Sequence, residues 1–150
     1  CRLPEALLRA GRALGREVMA AAQAQGVTPR GFGEFRPEAF RPGAPEEEGR
    51  AVIAWLADYT SRTAKTHSGI WRDLAVRKRR TEVDPQIGVI GELARAHGLA
   101  TPVLDRLVTL IHAIEDGRRP QSRETLQELV DLCTSASTDA SSSSPAPPRA

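Results

Sequence analysis

The segment TPVLDRLVTLIHAIEDG, residues 101–117, sets Val103, Leu107, Leu110, Ile111 and Ile114 on one stripe at helical period. Thr101 suits the N-cap, Pro102 suits the first turn, and Gly117 suits the stop. It reads as the strongest amphipathic helix of the chain. On its N-terminal side, residues 81–97 repeat the pattern through Val83, Ile87, Ile90, Leu93 and Ala94, with Pro85 near the start and Gly98 at the end. On its C-terminal side, residues 122–133 form a shorter helix carrying Leu126, Leu129 and Val130.

Farther out, residues 4–25 read as a helix with Leu7, Leu14, Val18 and Ala21 on its apolar face. Gly11 and Gly15 weaken that helix, or mark a face where another element packs close. Pro45 and three glutamates open a helix to about Lys65, its apolar face Val52, Trp55, Leu56 and Tyr59. A short helix covers residues 71–77. Residues 27–45 hold four prolines, three glycines and all three phenylalanines, which predicts a loop pinned by Phe32, Phe35 and Phe40. After Cys133 the composition turns to Ser, Ala, Thr and Pro, which predicts disorder. No alternating apolar run is long enough for a sheet. The reading is an all-α, compact multi-helix domain over 1–133, followed by a disordered tail over 134–150.

The chain has 150 residues, 21 basic and 19 acidic, for a net charge of +2. That balance argues against a dedicated nucleic-acid binder. No apolar run approaches the ~20 residues of a membrane span, and no signal peptide opens the chain. Two cysteines, Cys1 and Cys133, are too few for a disulfide framework or a zinc site, so a reducing, cytoplasmic setting is expected. The only methionine is Met19, so an N-terminal part upstream of Cys1 is also expected.

The segment from Lys65 to Asp84 is richest in chemistry: it places Lys65, His67, Ser68, Arg72, Asp73, Glu82 and Asp84 around two breaks in helical structure. Each has a plainer reading. Ser68 suits a cap of the following helix, Thr81-Glu82 an N-cap with an acidic first turn, and Arg77 to Arg80 a solvated face. His67, His97 and His112 lack metal-ligand spacing and show no evident carboxylate partner, so no metal site is expected.

Ser68-Gly69-Ile70-Trp71-Arg72-Asp73-Leu74, Arg80-Thr81-Glu82-Val83-Asp84, Gly91 and His97-Gly98-Leu99-Ala100-Thr101-Pro102, in that order, resemble the C-terminal domain of ketopantoate reductases. The resemblance covers roughly residues 5–118. It implies NADPH-dependent reduction of a 2-oxo acid, ketopantoate to pantoate, toward pantothenate and coenzyme A. It also implies an active site shared with an N-terminal Rossmann domain that binds most of the NADPH, and a helical domain that commonly supplies a dimer interface. By the resemblance, Glu82 is the catalytic and cofactor-side glutamate and Ser68 the substrate-binding serine. Ser68 lies five residues before Asp73, where the family spacing is four, and one extra residue separates Asp73 from Glu82. The family's substrate-binding asparagines have no match, since the chain holds no asparagine, and its general-acid lysine has none, since Lys65 lies in the wrong element. A chain of this kind is expected to be inactive alone. A reading from another class is a stand-alone helical interaction module with a basic patch at Arg77 to Arg80.

Overall fold

The computed structural model describes residues 4–63 and 67–139. These form six α-helices: α1 (Glu5–Ala24), α2 (Glu46–Ser61), α3 (Gly69–Arg72), α4 (Val89–Ala96), α5 (Pro102–Glu115) and α6 (Arg123–Asp139). A 3-10 turn spans Pro37–Phe40. π-Helical turns at Asp73–Arg77 and Asp84–Gly88 extend α3 and lead into α4. No β-strand forms among the described residues, so the domain is all-α as its periodicity requires.

Helix α1 is the hub, packing on α2, α4, α5 and α6. One core cluster joins α1, α5 and α6 through Ala10, Val103, Leu110, Leu129, Val130 and Cys133. A second, of Met19, Ala39, Phe40 and Val52, lies under the loop after α1. A third, of Leu74, Val83 and Ile111, fastens the segment between α3 and α4 onto α5. Gly15 exists for the second cluster: a Cβ there would fall 2.5 Å from Cδ1 of Phe40. The close-approach reading of the α1 glycines therefore holds. Gly117 ends α5 with φ +70°, a conformation that costs glycine nothing.

The sequence pattern needed correction at its edges. Phe40 is buried, and Phe32, though 51% exposed, lies against Trp55 and Tyr59 of α2 and so pins the loop there as expected. Leu93 and Leu126 sit on apolar stripes yet are exposed. Helix α2 stops at Ser61, and Lys65 lies outside the described residues. The expected break at Cys133 falls inside α6, which continues to Asp139. Alanine favours a helix, Ser and Thr disfavour it only slightly, and the first proline after Cys133 comes at Pro145. Residues 140–150 lie outside the described residues.

Thr101 occupies the N-cap of α5, as expected, but its side chain does not cap. The carboxylate of Glu17, on α1, does so instead: its Oε1 accepts from Val103 N at 2.9 Å and its Oε2 from Leu104 N at 2.7 Å. Burial pushes the Glu17 carboxyl up while these two N–H groups pull it down. Removing the carboxylate strands two donors at a half-buried helix end. Glu17→Ala is therefore expected to cost about 1–2 kcal/mol in urea unfolding, with the helical fold retained.

Candidate active site

Ser68 is the N-cap of α3, and its Oγ accepts from Trp71 N at 3.1 Å. The capping role is thus met, and the hydroxyl proton is left to donate. The ring of His67 stacks on Trp71 at 3.6 Å between centroids. Together with Tyr59, Thr60 and Thr63, His67 and Ser68 border a shallow surface depression beside the end of α2.

The π-helical turn Asp73–Arg77 follows directly. A π turn accommodates one more residue than an α turn. This turn lies in the stretch between Asp73 and Glu82. Asp73 is buried at the start of the turn, and its Oδ1 accepts from Arg77 Nη1 and Arg79 Nε, both at 2.8 Å. Those guanidiniums hold the Asp73 carboxyl below its usual range. Lys78 ends the turn with φ +51°, the only left-handed non-glycine residue described.

Glu115, at the end of α5, anchors what comes next. Its Oε1 accepts from Thr81 N and Thr81 Oγ1, each at 2.7 Å, and its Oε2 from Arg80 Nη1 at 2.9 Å. His112 Nδ1 meets the same Oε2 at 2.7 Å, while His112 Nε2 meets Asp84 Oδ1 at 2.8 Å. The Glu115 side chain is only 1% exposed. Burial alone would raise its carboxyl, but the hydrogen bonds from Thr81, His112 and Arg80 prevail and hold it at about 2. Both His112 nitrogens face carboxylate oxygens, so the imidazolium alone donates to both, and its pKa is raised.

This network was missing from the sequence reading, and it overturns the expectation that His112 has no carboxylate partner. The His112–Glu115 spacing of three was the available signal, since residues i and i+3 share a helix face. The Asp84 contact spans 28 positions and left no local trace.

Of the two candidate site residues, Glu82 sits at the surface on the turn held by this network. Its Oε2 accepts from Gln86 Nε2 at 2.8 Å. Beside it Val83 is fully buried, so the backbone at Glu82 is fixed on both sides while its carboxylate stays accessible. Ser68 and Glu82 share no hydrogen bond. The basic run is largely spoken for: Asp73 takes Arg77 and Arg79, and Glu115 and Asp116 take Arg80. No group of three or more His, Cys, Asp or Glu side chains suited to a metal ion occurs among the described residues. Nor is any described helix long and apolar enough to cross a membrane.

Comparison with known proteins gives one family, described as ketopantoate reductase PanE/ApbA C terminal, matching residues 3–115. No curated protein and no solved structure matches the chain. The matched span takes in α1 through α5, including the Ser68 cap, the Asp73 turn and the Thr81–Glu82 turn anchored on Glu115. The chain therefore belongs to the ketopantoate reductase family and carries that family's C-terminal helical domain.

Proposed function

We propose that this domain is the substrate-side half of an NADPH-dependent 2-oxo acid reductase, with ketopantoate the leading substrate and pantoate the product. The observation that carries the reading is Glu82 within the family span, accessible on a turn that Glu115 and Val83 hold rigid. A reactive carboxylate needs such a mount, because small errors of placement cost large factors in rate.

When bound, NADPH supplies the hydride that adds to the carbonyl carbon. The described residues contain no strand–turn–helix unit to hold a dinucleotide, so the cofactor does not fit this domain alone. What the domain offers is a wall of the cleft. Ser68 donates its hydroxyl proton to substrate from the start of α3, and Glu82 orients substrate, cofactor or proton donor from the turn before α4. The alkoxide formed at the carbonyl oxygen takes its proton from a donor outside the described residues. The helical unit runs from α1 through α6 in this reading, and the same helices supply a homodimer interface in a cytoplasmic enzyme. The interaction-module reading gains less support, since three of the four cations it relies on have intramolecular partners.

Mixing the purified chain with NADPH and ketopantoate is expected to give no loss of absorbance at the nicotinamide band. Turnover by the chain alone would show that it needs no second domain.

A further inference from the structure

A cleft of about 350 Å³ opens between the turn after α3 and the segment after α5. Leu74 and Ile114 line it with apolar surface, and Lys78, Arg79, Arg119 and Gln121 line it with donors. Its charge is not balanced. Asp73 serves two arginines, Arg77 and Arg79, and Glu128 serves two more, Arg106 and Arg119. Each carboxylate cancels one guanidinium and leaves one over. Lys78 adds a further ammonium with no ion-pair partner among the described residues, delivered to the cleft by the left-handed backbone at that position. The Glu115 carboxylate forms part of the wall, but it is buried and held by Arg80 and His112, which also meet Asp116 and Asp84, and Asp116 takes Arg118 as well.

The C-terminus of α5 would ordinarily repel an anion here. Two of its last carbonyls are occupied: Ala113 O accepts from Arg118 N at 2.8 Å and Arg119 N at 3.1 Å, and Ile114 O from Gly117 N at 3.0 Å. A surplus of cations over an apolar floor, in a concave site, suits a ligand with a negative head and a short hydrocarbon body. We propose that this cleft binds a small organic anion, a carboxylate or phosphate on a compact apolar group, with Lys78 as its principal contact. The site uses neither Ser68 nor Glu82, so it stands apart from the reductase reading.

The test is NMR titration of the ¹⁵N-labelled chain at low salt with isovalerate, its neutral isostere isovaleramide, and inorganic phosphate. Isovalerate is expected to give saturable shifts at the amides of Lys78, Gly117 and Gln121, with isovaleramide silent and phosphate weaker. Lys78→Gly removes the ammonium while keeping the left-handed backbone, and is expected to weaken isovalerate at least about fivefold. Lys78→Arg restores binding. Shifts that never saturate, an equal response to isovaleramide, phosphate matching isovalerate, or unchanged affinity in Lys78→Gly would each overturn the proposal.

Discussion

Glu115→Ala is expected to lower stability by about 3 kcal/mol, or about 10 °C in Tm for a domain of this size. The substitution takes a buried carboxylate out of a network that joins α5 to the turn before α4 through Thr81, Arg80 and His112. Thr81 loses the acceptor for both its N–H and its hydroxyl. Arg80 is 69% exposed and rehydrates, which keeps the loss below the upper end for a broken buried pair. Thermal unfolding followed by circular dichroism measures it. A loss under about 1 kcal/mol would mean that the network does not hold the turn.

The same network sets a pH profile. The Glu115 carboxyl lies at about 2, below its ordinary 4.5, so its contribution is full above pH 4.5 and fades as pH falls toward 2. Asp73 and Asp116 are lowered as well and act in the same direction. His112 is raised above its ordinary 6.5, so its contribution is full below pH 6.5 and fades as pH rises through the folded-state value. The groups facing His112 are Asp84 from the π turn, Glu115 from its own helix, and Arg80, which shares the Glu115 oxygen. Tm is therefore expected to peak near pH 5–6. In Glu115→Ala the acid-side loss is expected to shrink markedly.

Glu82→Gln, made in a form of the protein that reduces its substrate, is expected to lower kcat/KM about a hundredfold or more with Tm unchanged. The carboxylate is exposed, and its one hydrogen bond, from Gln86, is on the surface, so the fold owes it little. A variant that loses stability but keeps its rate would assign Glu82 to the helix start rather than to chemistry. Steady-state rates beside melting curves separate the two roles.

Much of the fold was legible because helices announce themselves locally. For α5 the apolar period, Pro102 and Gly117 place the element at Pro102–Glu115. Helix α1 likewise runs over Glu5–Ala24 against an expected 4–25. Features made by distant residues were hidden. Glu17 caps α5 from 86 positions away, and Asp84 reaches His112 across 28. The π turns were hidden for another reason: one more residue per turn leaves composition and propensity unchanged. Within the candidate site, Glu82 and Ser68 were legible only through the order of family-like motifs. The physical mount of Glu82, built from Glu115, His112 and Val83, came from packing.

In the proposed reading these helices form one wall of a 2-oxo acid reductase whose nucleotide site lies outside the described residues. NADPH oxidation with a panel of 2-oxo acids tests this, comparing the chain alone with a form extended by a dinucleotide-binding domain. No oxidation is expected from the chain alone, and substrate-dependent oxidation is expected from the extended form, with ketopantoate leading the panel. A folded extended form that oxidises NADPH with none of the 2-oxo acids would contradict it.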